Sequence, residues 1–181
     1  MHRQVRSLGT LAVVICSLLA SFALAQRKQV EPGPIPTQIG AAKRVFIANA
    51  GGDEPTSYYE FLFNGEVDRS YNQFYAGIKS TGRYELVGSP AEADLIFQIG
   101  FTVHPSAFHA DKLTASYDPQ FRLEIRDPET NVLLWAFTEH MEWAILQGNR
   151  NKNFDQALGR IVADMLALGT RANGVATQAK Q

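Results

Sequence analysis

The sequence predicts an α/β (α+β) fold: a two-layer sandwich with two amphipathic helices on one face of a mixed, mostly antiparallel sheet, in the order β-α-β-β-β-β-α. Three observations carry this. Two segments place apolar residues at helical spacing, one early and one at the end of the globular part. Short runs of strand length, apolar or alternating, stand before and between them. The alternation leaves one sheet face buried and one wet, so both helices are expected on the buried side.

Taken in order, residues 43–50 (KRVFIANA) form a short apolar run ended by Gly51-Gly52, read as a buried strand. From 66 to 79, Val67, Tyr71, Phe74, Tyr75 and Ile78 fall on one helical face, and Gly82 stops the helix. A second strand, RYELV, follows, then a turn at GSPAEAD. In DLIFQIGFTVH, Phe97, Ile99, Phe101 and Val103 alternate with Gln98, Gly100, Thr102 and His104. QFRLEIR sets Phe121, Leu123 and Ile125 against Arg122, Glu124 and Arg126. DPETN makes a turn into a strand over 132–143 that enters the middle of the sheet. There Leu133, Trp135 and Phe137 suit the helix side, and Val132, Leu134 and Ala136 the wet side. A final helix, capped near Asn153, carries Phe154, Ala157, Leu158, Ile161, Val162, Met165 and Leu166 as one stripe.

The ends read differently. His2, Arg3 and Arg6 precede an apolar stretch over 8–22, and Ala23-Leu24-Ala25 forms a small-x-small site, so residues 1–25 are expected to be a secretory signal cut after Ala25. The alternative is an uncleaved anchor in the inner membrane. Lipidation at Cys16 is not expected, because Ile15 stands where that processing wants a small residue. Residues 26–42, punctuated by Pro and Gly, read as a flexible linker, 43–169 as one domain, and 170–181 as a disordered tail.

Removal of 25 of the 181 residues leaves 156 with no cysteine, so neither a disulfide framework nor a thiolate zinc site is available. The chain has 17 Lys and Arg against 18 Asp and Glu. Loss of Arg3 and Arg6 leaves 15 basic residues and a net charge of −3, giving no electrostatic case for nucleic acid.

Three passages carry a resemblance. GRYELVGSPAEADLIFQIGF and LEIRDPETNVLLWAFTEHMEW are similar to segments of exported α/β envelope domains of the curli-secretion lipoprotein type. Penicillin-binding-protein activator lipoproteins and the N-terminal domain of the Tol-system propeller protein look related in architecture. NKNFDQALGRIVADM, with WAFTEH, resembles a set of uncharacterised secreted bacterial proteins. The resemblance covers residues 43–168 and implies a small exported module that binds or assembles something, with no catalytic residues to carry over. Two departures stand out: the turn reads Thr130-Asn131 where relatives have Thr-Gly, and the lipid anchor is missing.

Several chemistries could draw on these residues. His140 and Glu142 share a strand face, with Glu139 opposite, and His104 could supply a third ligand for a metal-dependent hydrolase. The bland reading, solvated histidines on polar edges with His109 among them, outweighs it. Glu124 and Glu142 could pair as glycosidase carboxylates only across a cleft, which a flat sheet does not supply. No Gly-x-Ser-x-Gly elbow exists for nucleophilic catalysis. Gly51-Gly52-Asp53-Glu54 matches a cyclic-dinucleotide-synthase signature in wording but not in context.

The better lead is aromatic: Tyr58, Tyr59, Phe61 and Phe63, together with Val132 and Leu134, form a candidate surface for a partner or an apolar ligand. The leading expectation is a non-catalytic exported envelope protein, periplasmic or secreted, acting in protein–protein interaction, assembly or self-association. No cofactor, nucleic acid or stable membrane span is expected. The alternatives are a small apolar-ligand carrier using residues 58–63 and the hydrolase above.

Overall fold

The computed structural model describes residues 33–51, 68–109 and 114–178. Among them, β1 (Arg44–Gly51), β2 (Glu85–Leu86), β3 (Leu95–His109), β4 (Thr114–Arg126) and β5 (Leu133–His140) form one sheet in the order β2-β1-β3-β4-β5. Strand β1 lies parallel to β2 and β3, while β3, β4 and β5 form an antiparallel meander. Helices α1 (Thr37–Ala41), α2 (Arg69–Thr81) and α3 (Gln147–Gln178) complete the described part. The mixed sheet with helices on one face is the architecture expected from the alternation.

The core lies between the layers. Val45 and Ile47 of β1, Leu95 to Phe101 of β3 at alternate positions, and Phe121, Leu123 and Ile125 of β4 are at most 4% exposed. They meet Phe74 and Ile78 of α2 and Phe154, Ile161 and Met165 of α3, at most 1% exposed. Phe101, Phe121 and Phe154 lock sheet to helix, with ring centroids 4.7, 4.8 and 5.3 Å apart. Each such side chain contributes roughly 1.5–3 kcal/mol by leaving water. Helix α2 is the crossover between parallel β1 and β2. It ends where Gly82 adopts φ 63°, its N–H donating to the Lys79 carbonyl.

Four expectations about the elements are corrected. The RYELV strand shrinks to Glu85–Leu86. Strands β3 and β4 run past the expected bounds of 94–104 and 120–126, because they pair with each other as far as His109 and Thr114, so HPSAFH belongs to the strand. Among the described residues strand β5 is the sheet edge, not its middle, and it ends at His140. Helix α3 begins six residues before Asn153, whose side chain instead donates to the Glu142 carbonyl at 2.8 Å. It also continues through Gly169 to Gln178, across most of the expected tail.

The expected linker gives up its last residues to the domain. Ile39 of α1 is 1% exposed, and Ile35 and Ala42 pack on the same core. Gln38 donates to the Asp127 carboxylate at 2.7 Å, and Asp94 accepts the backbone N–H groups of Lys43 and Arg44, each at 2.9 Å. A single buried isoleucine in a polar stretch has no period for a sequence reading to detect.

The turn after β4 accommodates Asn131 where the domains it resembles have glycine. Asp127 Oδ1 accepts from the N–H groups of Glu129 and Thr130 at 2.9 and 2.8 Å, and Asn131 takes φ 57°. Asparagine is among the few non-glycine residues that enter the left-handed region at low cost, so Thr-Asn closes the turn that Thr-Gly would.

Candidate functional site

Because the helices cover one face, the other is a polar surface built from alternate residues of β1, β3, β4 and β5. Its centre is a charge ladder on β4. Arg122 donates to one oxygen of Glu124 at 2.8 Å, and Arg126 donates twice to the other, at 3.0 and 2.6 Å. Arg126 also reaches the Asn131 carbonyl at 3.0 Å, tying the ladder to the turn. Burial raises the Glu124 carboxyl, but hydrogen bonds from Arg126 and Arg122 outweigh it and hold the group below its ordinary range. These residues sit i, i+2 on one strand, so the pleat alone brings them together.

Beside the ladder lies a shallow depression of about 150 Å³, lined by Ala50, Gly51, Gln98, Gly100, Thr102, Arg122 and Glu124. Gly100 sets its floor: a Cβ there would come within 3.2 Å of the Ala50 Cβ and 3.3 Å of the Gly51 carbonyl. Ligand pockets usually span roughly 300–1,000 Å³. A larger cleft of about 530 Å³ opens between α1 and the β4–β5 turn, but Lys43, Arg44, Asp94, Asp127 and Glu129 make it polar. Neither suits an apolar cargo.

The predicted site residues part company. Strand register puts His104 opposite Asp118 and His140 opposite Gln120, so His104, Asp118 and His140 share the uncovered face. His140 Nδ1 lies 2.8 Å from Asp118 Oδ1, a contact with an acid that the sequence reading did not pair with it. Glu142 falls beyond β5. Glu139 points to the helix side, as expected, and bonds Arg160 of α3. Among the described residues no three His, Cys, Asp or Glu side chains converge where a metal ion could bind. The His140–Glu142–His104 set is therefore not assembled. Glu124 and Glu142 are likewise separated, one held by two arginines and the other outside the sheet.

Of the two apolar candidates, Leu134 changes places with its neighbour Leu133 on β5. A register shift between Ile125 and Arg126 sets Leu133 opposite Arg126, leaving it 43% exposed, while Leu134 packs partly on the core. The bulge reverses the expected faces of Leu133 and Leu134. Val132 is 56% exposed, as read. Trp135 and Phe137 lie on the helix side but stay half-buried, since β5 is an edge strand. Tyr58, Tyr59, Phe61 and Phe63 lie outside the described residues.

Sequence reasoning missed Arg150. Only 7% exposed, it sits 5.7 Å from the Trp143 ring centre and donates to the Ala144 and Ile145 carbonyls and to Gln147, with its Nε unpartnered. It fastens the loop that bears Ile145 and Leu146, 86% and 67% exposed. An arginine one helical turn inside α3 gives no sign in sequence that its head folds back.

No protein-family model matches the chain, and no curated protein matches it. Solved structures do. Protein XCC0632 of Xanthomonas campestris, described under DUF330, is 9% identical over 84% of this chain and 97% of its own, with a TM-score of 0.42. Lipoprotein GNA1162 of Neisseria meningitidis is 10% identical over 67% and 99%, with a TM-score of 0.37. A PelC dodecamer from Paraburkholderia phytofirmans is 11% identical over 75% and 95%, also at 0.37. These likenesses are loose, and no function passes through them to this chain.

Proposed function

We propose that the chain is an exported, non-catalytic module of the cell envelope that binds or assembles with another protein through the uncovered face of its sheet. The observation that carries this is the one-sided layering. Phe46 and Ile96, cross-strand partners on that face, are half-buried with no second helical layer over them among the described residues. The Arg122–Glu124–Arg126 ladder beside them is already fixed by its own hydrogen bonds, so little side-chain freedom is lost when a partner docks. Export is supported by the order of basic, apolar and small residues over 1–25, with cleavage after Ala25. The aromatic run Tyr58, Tyr59, Phe61 and Phe63 joins β1 to α2 in the chain, and we extend the same partner surface to it.

A photo-crosslinking residue at Gln98, on the uncovered face, should trap a protein partner in the organism's own cells. The same residue at Asp164, exposed on α3, should not. Absence of any adduct from Gln98 and Thr102 would sink the reading.

A further inference from the structure

We propose that the tip formed by residues 143–152 docks on a phospholipid surface: the N-terminus of α3 takes a headgroup phosphate, and Ile145 and Leu146 enter the apolar layer beneath it. The observation that points there is Arg150. It is 7% exposed, yet its head meets neutral oxygens only, those of the Ala144 and Ile145 carbonyls and the Gln147 amide, and its Nε has no partner. Among the described residues no carboxylate pairs with it. Helical side chains lean towards the N-terminus, so Arg150, the fourth residue of α3, brings its charge back into the first turn. A buried charge without a counter-charge is costly, and a helix N-terminus is the end of the dipole that disfavours a cation. Both features stand together here, with no acidic residue in the first turn, and both call for an anion at that place.

The donors are open to one. First-turn N–H groups have no acceptor within a helix, and a Cβ built on Gly148 would meet nothing within 4 Å. Gly148, Asn149 and Lys152 are exposed. Between residues 142 and 152, Arg150 and Lys152 stand against Glu142 alone, so the tip is net positive.

Apolar surface separates a lipid phosphate from a free one. Ile145 and Leu146, immediately before the helix, are the most exposed large apolar side chains among the described residues. Arg150 holds the Ile145 carbonyl, so the pair is presented on a fixed loop. A phosphate carried on acyl chains answers both features at once, with oxygens for the N–H groups and hydrocarbon for the aliphatic pair. A stable protein partner needs roughly 1,000 Å² of contact, and two side chains edged by Glu142, Asn149 and Lys152 do not offer it. The contact is peripheral and reversible, and it does not depend on the partner reading of the sheet face.

The test floats the soluble chain from exporting cells with two kinds of vesicle. It should partition roughly tenfold better onto phosphatidylglycerol with phosphatidylethanolamine than onto digalactosyldiacylglycerol, which has no phosphate. Gly148→Glu brings its own carboxylate to the helix N-terminus. It should melt at or above the parent's temperature and lose flotation, whereas Gly148→Ala keeps it. Ile145→Ser with Leu146→Ser should also lose flotation, with an unchanged melt, yet bind inorganic phosphate as the parent does. Equal partition onto both vesicles, flotation that survives Gly148→Glu or the serine pair, or binding of inorganic phosphate without flotation overturns the proposal. So does a photo-crosslinking residue at Ile145 that traps a protein in cells instead of lipid.

Discussion

At the scale of single residues, burial sets what each aromatic contributes. Phe121 is fully buried between Phe101 and Phe154, so Phe121→Ala should cost about 3–5 kcal/mol in urea unfolding. Trp135 was expected to be core from its place in the alternation. At the sheet edge it buries only part of its ring, and Trp135→Ala should cost roughly 1–2 kcal/mol. Equal losses would mean that β5 is covered as fully as β4. The alternation correctly assigned Trp135 and Phe137 a side. It could not give their depth, because depth depends on which strand ends the sheet.

At the scale of elements, Gly169 is the instructive case. It looks like a helix stop, yet α3 runs straight through it. A Cβ at this position would collide with the Arg83 guanidinium, which lies across the helix and donates to the Leu166 carbonyl at 3.0 Å and the Thr170 hydroxyl at 3.3 Å. Glycine is there to let that arginine pass. Gly169→Ala should therefore stabilise by about 1 kcal/mol only when Arg83 is already Ala, and by clearly less in the parent. Thermal melts of the two single variants and the double variant check this. Additive effects would show that Arg83 does not need the space. The contact joins residues far apart in sequence, so the sequence marks the glycine without giving its reason.

At the scale of the whole molecule, three carboxylates are tied down by hydrogen bonds, Asp94 and Asp127 at joints between elements and Glu124 within β4. Backbone N–H groups of Arg44 and Lys43 hold Asp94 below its ordinary range. Hydrogen bonds led by the Thr130 N–H do the same for Asp127. Glu124 is held down by its two arginines against the opposing effect of burial. Carboxyls with lowered folded pKa values stabilise the fold above their unfolded values, about 4, and that support is lost as pH falls through the folded ones. Melting temperature should thus be flat near neutrality and fall below about pH 4–5, with a shallower fall in Glu124→Gln. An identical pH profile for Glu124→Gln would show that the ladder does not contribute. The sequence by itself determined the layer architecture, most core positions of β3, β4 and both long helices, and the turn at Asp127, because periodicity and turn chemistry act over a few residues. Tertiary structure alone decided that β5 is the edge, that the end of the presumed linker packs through Ile39, that His140 meets Asp118 rather than Glu142, and that Leu134 turns inward at a bulge. Each depends on strand order or register, which arises from contacts among segments distant in the chain, and local pattern carries no record of it.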